Sequence, residues 1–302
     1  MPREIPRGIG LGLAALGRPG YVNLGHGEDL GEDRSVEALE RRCHEVLDSA
    51  YANGVRYFDA ARSYGLAERF LGSWLTERGL APGEVWVASK WGYTYTADWQ
   101  VDADPPEVKD LSVDTFRRQI GETRELLGDH LCLYQIHSAT KSSGVLDDEA
   151  LRSELAALRS TGVLIGMSTT GTEQGETIDR ALETGGFDTV QSTWNLIERS
   201  AGPALQRAHD AGMHVIIKEA LANGRLTARG GPEEPGDAVA LAAVLAQPFV
   251  DVVLSGASTV DQLRSNLTAR DIEWTPELDA RYAGLVEQPD EYWETRSALD
   301  WT

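Results

Sequence analysis

Val55-Arg56-Tyr57-Phe58-Asp59-Ala60-Ala61-Arg62-Ser63-Tyr64-Gly65 sets a short apolar run against a polar cluster and closes it with glycine. The pattern returns twice. Val85-Trp86-Val87-Ala88 runs into Ser89-Lys90-Trp91-Gly92, and Leu131-Cys132-Leu133-Tyr134 runs into Gln135-Ile136-His137-Ser138. Short continuous apolar runs bounded by turn signals are the pattern of strands buried in a parallel sheet. The C-terminal ends of such strands are where barrels and open α/β sheets place their chemistry. Asp59, Tyr64, Lys90 and His137 therefore arise from three strand ends and are the candidate catalytic set.

Five further runs complete the pattern. Strands are predicted over 9–16, 55–58, 85–88, 131–134, 163–167, 189–191, 214–217 and 250–254. Helical spacing of apolar residues falls between them. Ser35 caps a helix closed by Asn53-Gly54; others cover 67–78, 112–127, about 147–160, about 174–183 and about 238–246. Two more hold Ala204, Leu205 and Ala208, and Leu263 and Leu267. Eight strand-loop-helix units without a linker between them predict one domain over 1–302, an α/β fold of the (β/α)8 TIM-barrel type. A doubly wound sheet is the structural rival, but the early Gly10-Leu11-Gly12 lacks the third glycine of its phosphate-binding turn.

The stretches outside the units are read as follows. Residues 17–32 form a Gly-rich loop too polar to be core, and 91–108 a long loop beyond the third strand. Residues 230–236 form a Gly/Pro/Glu loop. The tail after Glu273, with Tyr282, Tyr292, Trp293 and Trp301, exceeds the barrel's needs and caps an end or lies over the site.

Composition narrows the class. With 28 basic and 48 acidic residues the net charge is -20, which disfavours nucleic acid or an anionic membrane as partner. Cys43 and Cys132 both fall in predicted core elements, so a reduced compartment fits better than a disulfide scaffold. No apolar run of about 18 residues and no signal-peptide h-region is present, so a cytoplasmic protein is expected. The six histidines form no ligand cluster, so no metal site is expected.

Taken singly, the four candidates have ordinary readings. Asp59 suits a helix cap, Lys90 a structural ion pair, His137 a satisfied core histidine, and Tyr64 alone says little. Together they have a use. A carbonyl receiving hydride needs a proton, and Tyr64, with an unperturbed pKa near 10, is a weak acid at neutral pH. A neighbouring Lys90 would stabilise the tyrosinate and Asp59 would hold the lysine charged, while a neutral His137 would polarise the carbonyl oxygen.

On these residues the chain closely resembles the aldo-keto reductase superfamily. Asp59 to Gly65 matches an Asp-x-Ala-x-x-Tyr-Gly segment, Ser89-Lys90 the lysine after the third strand, and Ile136-His137 the histidine after the fourth. The resemblance implies a (β/α)8 barrel, no metal, and NADPH as cofactor ahead of NADH. It implies that Ser168, Thr169 and Gln191 hold the nicotinamide amide. Ala220, Leu221, Asn223 and Gly224 would pass the pyrophosphate, and Gly256, Ser258, Gln262 and Asn266 the adenosine phosphate. Lys218 stands where the family usually places an aromatic against the nicotinamide, leaving it to turn elsewhere or Trp194 to cover the ring. Arg229 or Arg264 would supply charge near the 2'-phosphate, where Gly256 replaces a basic residue.

Trp91, Tyr93 and Trp293 are the candidate substrate-binding residues, with Tyr21, Tyr95, Trp99 and Trp301 as further aromatics for the wall. The expected substrate is a small carbonyl compound or alcohol, including sugars; monomer and homo-oligomer stay open. Two other functions remain. One is a redox-responsive binding subunit resembling potassium-channel β subunits, and the other a lyase or isomerase forming a Schiff base at Lys90.

Overall fold

The computed structural model describes residues 4–101, 103–231 and 235–302. Ten strands are present among them: β1 (Gly8–Gly12), β2 (Tyr57–Asp59), β3 (Trp86–Trp91), β4 (Tyr93–Tyr95), β5 (Glu107–Lys109), β6 (Leu131–Ala139), β7 (Leu164–Thr169), β8 (Thr189–Thr193), β9 (His214–Lys218) and β10 (Val252–Ser255). Eight of them close into a parallel barrel in the order β1-β10-β9-β8-β7-β6-β3-β2. The barrel is closed by pairing on both sides of β1, with Gly8 opposite Val252 and Leu11 opposite Phe58.

Helices cover the strands as their apolar stripes require. Ser35 accepts from Ala38 N at the start of Val36–Ala52, and Ser112 from Thr115 N at the start of Val113–Leu127. Leu39, Val46, Phe70, Trp74, Phe116 and Ile178 face the strands in one continuous core. A second cluster fills the barrel's base: Tyr57, Trp86, Ala88, Leu133, Ile216 and Val252, plugged by Ile5. These are alternate residues of their strands, so each strand gives one set inward and the other to the helices. Among the described residues no helix is long and apolar enough to cross a membrane.

Three stretches depart from the sequence reading. The first strand stops at Gly12, and Leu13–Leu16 stay largely buried in a turn instead. Burial there comes from packing against the following loop, with Leu66 N donating to Gly17 O at 2.7 Å. The stretch over 17–32 is not excluded from the interior: Arg18, His26 and Leu30 are buried, and His26–Leu30 forms a short helix. The long loop over 91–108 contains β4 and the start of β5, an antiparallel ribbon pairing Tyr93 with Lys109 and Tyr95 with Glu107. Of the loop over 230–236, residues 232–234 lie outside those described, as do 1–3 and 102.

The tail lies at the C-terminal mouth. Helix Pro289–Ser297 buries Tyr292 against Asn195, whose Nδ2 donates to the Tyr292 hydroxyl at 3.2 Å.

Candidate active site

Register and alternation assemble the mouth. Asp59 pairs with Ala88, and Lys90 with Gln135. Along β3 the inward set is Trp86, Ala88, Lys90; along β2 it is Tyr57 and Asp59. Lys90 and Asp59 thus meet just above the apolar base of the barrel.

Lys90 is fully buried, and its Nζ donates to the Asp59 carboxylate, to Ala60 O at 3.0 Å and to the Tyr64 hydroxyl at 3.3 Å. Asp59 receives further bonds on its other oxygen, from Gln191 Nε2 at 3.0 Å and Gln135 Nε2 at 3.4 Å. A buried ion pair survives desolvation only when such bonds satisfy its remaining lone pairs.

Tyr64 reaches the site on a loop anchored by Gly17. Withdrawal from water raises its phenol well above the usual value, and the negative charge of Asp59 adds to this. Arg18 opposes, while Glu107 and Glu219 raise it further. Lys90, which also holds Asp59, is in place to donate to the Tyr64 hydroxyl, and burial with the Asp59 charge keeps the phenol protonated.

His137 owes its position to an irregularity. The β6–β7 register shifts between Ile136 and Ala139, and Ser138 takes φ 55. Its ring meets Tyr64 edge-on at 5.5 Å and Tyr93 at 5.0 Å, and Nδ1 lies 3.5 Å from Ser63 Oγ. Withdrawal from water, with the positive charges of Lys90, Lys218, Arg18 and Lys109 around it, holds the imidazole well below its usual value and therefore neutral.

A cavity of about 620 Å³ opens here, lined at one end by Asp59, Tyr64, Tyr93 and His137. Arg18 shares that end. Its guanidinium lies 4.5 Å from the Trp301 ring centroid and 5.4 Å from that of Tyr64, and it donates to Ser63 O and Glu107 at 3.0 Å each. Beside it Lys218 turns to Thr193 Oγ1 at 3.1 Å, with Glu219 Oε1 at 3.8 Å and the Trp293 ring at 5.9 Å. Glu219 sits at φ 54, uncommon for a side-chain-bearing residue, and is held by Arg296 at 2.7 Å and Thr193 at 3.1 Å. Burial alone would lift its carboxyl; Lys218 and Arg296 outweigh that and bring it down to about 2.

The cavity then runs past Ala220, Leu221, Asn223 and Gly224 to Gly256, Gln262 and Asn266 beyond β10. Among the described residues Asn223 Oδ1 is buried there without a partner, and a Cβ added at Gly256 would meet nothing within 4 Å. Loops from the two sides join over it, with Asn223 Nδ2 donating to Val22 O at 2.7 Å and Leu24 N to Asn223 O at 3.0 Å.

Several anticipated residues lie elsewhere. Trp91 follows the inward Lys90 and so points outward, fully buried against Phe116 at 5.2 Å; it is core, not substrate wall. Trp293 packs edge-on against Tyr292, one step behind the cavity lining, whereas Tyr21, Tyr93 and Trp301 line it. Trp99 packs on Phe70, and neither it nor Tyr95 reaches the cavity. Trp194 faces Phe249 and is likewise off the cavity. Ser168 and Thr169 are fully buried: Ser168 Oγ accepts from Ser138 N at 2.8 Å, and Thr169 Oγ1 donates to Ser192 Oγ at 2.8 Å. Thr170 lines the cavity in their stead. Ser258 supports Gln262 from behind, its Oγ 3.1 Å from Gln262 Oε1. Sequence reasoning passed over Arg18, Asp29, Glu219 and Arg296. Only Glu219, directly after Lys218, carried a local signal.

The chain was compared with known proteins. Residues 9–238 match the model of the aldo/keto reductase family. Over 288 residues the chain is 27% identical to YrpG, an uncharacterized oxidoreductase of Bacillus subtilis (strain 168), spanning 80% of this chain and 86% of that protein. A stretch of 108 residues is 31% identical to the aldo-keto reductase str7 of Strobilurus tenacellus, spanning 36% of this chain and 27% of that one. Among solved structures, the holo form of aldo-keto reductase AKR11C1 from Bacillus halodurans has the same fold, with a TM-score of 0.71 at 21% identity over 93% of this chain and 92% of that chain.

Proposed function

This chain belongs to the aldo/keto reductase family, and from that membership we propose that it is a nicotinamide-dependent oxidoreductase interconverting an aldehyde or ketone with its alcohol. The observation that carries the reading is the convergence of the Tyr64 hydroxyl, buried Lys90 and neutral His137 at one end of a long cavity.

The cavity suits the cofactor class. Its volume is that of a small-molecule site, and it is open over Gly256. Gln191, Asn223, Gly256, Gln262 and Asn266 are the residues assigned to hold it. When bound, the nicotinamide supplies or accepts the hydride.

The chain's own groups handle the proton. Tyr64 Oη carries it at neutral pH, because burial and Asp59 keep the phenol protonated. It donates to the carbonyl oxygen in reduction. The neutral imidazole of His137 offers an N–H to the same oxygen. Lys90 and Asp59 position the phenol from below. The protonated phenol is the form that serves reduction as donor.

Around this centre the substrate end combines aromatic faces, Tyr21, Tyr93 and Trp301, with the Arg18–Glu107 pair. Ring faces beside fixed hydrogen-bonding charges suit a hydroxylated carbonyl compound such as an aldose. The Schiff-base alternative is disfavoured by position: Lys90 lies beneath Asp59 and Tyr64, outside the cavity lining, with all three donors engaged.

The test is turnover. Purified protein is mixed with NADH or NADPH and a panel of aldehydes, ketones and aldoses, and nicotinamide absorbance is followed. Turnover that Tyr64→Phe abolishes supports the assignment. Dinucleotide binding without turnover of any carbonyl would favour the redox-responsive binding subunit.

A further inference from the structure

Resting on the nicotinamide reading, we propose that Asp29 makes this protein select NAD(H) over NADP(H), its carboxylate engaging from behind the cavity wall the amide and the guanidinium that a 2'-phosphate would need. The nicotinamide must lie at the Tyr64 end of the cavity, where the proton donor is. The adenosine half then falls at the opposite end, among Gly256, Gln262 and Asn266.

A carboxylate stands directly behind that end. Asp29 comes from the short helix His26–Leu30, far from Gln262 in sequence, and its side chain is only 9% exposed. Its Oδ2 accepts from Gln262 Nε2 at 2.7 Å and from Arg229 Nη1 at 2.8 Å, with Ser258 Oγ at 3.4 Å. Its Oδ1 accepts from Arg229 Nη2. The Gln262 amide and the Arg229 guanidinium, both lining the cavity, are turned to Asp29.

The charge count follows. Among the described residues lining this end, Arg229 is the cation, and Asp29 neutralises it. Arg264 is exposed and leans on Asp261 at 3.8 Å. Asp237 and Asp261 also line the cavity, and Gly256 brings no charge. A 2'-phosphate would find the donors of Gln262 and Arg229 already engaged and a carboxylate's negative charge directly behind them, which repels it.

The test is equilibrium binding of each reduced dinucleotide to the intact protein, read by quenching of protein fluorescence, so no turnover is required. The wild-type protein should bind NADH at least about tenfold more tightly than NADPH, a selectivity equivalent to one such charge contact. Asp29→Asn keeps the shape, frees Arg229, and should shift that ratio about tenfold toward NADPH. Arg229→Ala, leaving the carboxylate unneutralised, should shift it further toward NADH. NADPH binding as tight as NADH in the wild type, or an unchanged ratio in a folded Asp29→Asn, would overturn the role of Asp29 and leave the oxidoreductase reading intact. Binding of neither dinucleotide would overturn both.

Discussion

The ammonium of Lys90 lies 3.3 Å from the hydroxyl of Tyr64 and has no contact with solvent. It positions the phenol without being reachable from the cavity. Tyr64→Phe keeps the ring against Arg18 and His137 and removes only the hydroxyl with its proton. The turnover number should fall by about 10²–10⁴-fold. Dinucleotide affinity should stay within about twofold, because the acid's proton is used in the chemical step and not in binding. Single-turnover kinetics beside a fluorescence titration separates the two.

The pH dependence has a definite sign. A phenol raised well above its usual value is protonated through the neutral range. Carbonyl reduction should therefore be flat between about pH 6 and 9 for Tyr64 as donor, and alcohol oxidation should climb about tenfold per unit on the alkaline side. Arg18→Met removes a charge that lowers the phenol, so it should depress oxidation at fixed alkaline pH more than reduction. Paired rate profiles check this, and a reduction rate that collapses near neutrality contradicts it.

Lys90→Met leaves the Asp59 carboxylate buried without its counter-charge. The cost should be about 3–5 kcal/mol in urea unfolding. Asp59→Asn placed on top of Lys90→Met should restore part of it, because the stranded charge is then gone. Double-mutant analysis of the two midpoints measures the coupling.

Acid should destabilise the protein in two separable windows. Glu219 is held at about 2 against an ordinary value of 4.5, so its contribution is complete above pH 4.5 and is lost as pH falls toward 2. Full loss amounts to on the order of 3 kcal/mol. His26, buried with neither ring nitrogen partnered among the described residues, is lowered from 6.5 to about 4, chiefly by burial. The unfolded chain binds that proton first, so stability drops as pH falls from 6.5 to 4. Glu219→Gln should flatten the lower window and His26→Phe the upper. Thermal melts across pH read both.

Gly17 is where the Tyr64 loop passes closest to its neighbour. A Cβ at that position would collide with Tyr64 O and lie 2.5 Å from Ala67 Cβ. Gly17→Ala must push the two loops apart and should cost about 1–3 kcal/mol, by overpacking. Turnover should fall with it, since Tyr64 moves. A melt and a kcat measurement on the same preparation test the link.

The barrel was legible because its strands are continuous apolar runs with polar ends. Asp59, Lys90 and His137 were found for the same reason: each sits at the end of such a run. The β4–β5 ribbon escaped because it is half-exposed and carries no hydrophobic alternation to betray it. Leu13–Leu16 misled in the opposite sense, being apolar and largely buried yet in a turn. The aromatic beside Lys90, Trp91, misled because adjacency along a strand means opposite faces.

The amino-acid sequence by itself determined the eight-fold alternation and the four residues at its mouth. Those depend on local periodicity, which a strand or helix expresses wherever it lies. Tertiary structure alone decided which charges meet. Asp29 and Gln262 are 233 residues apart, and Arg296 and Glu219 are 77 apart. A carboxylate's partner is whichever cation or amide the closed barrel brings within hydrogen-bond reach, and no local pattern encodes that distance.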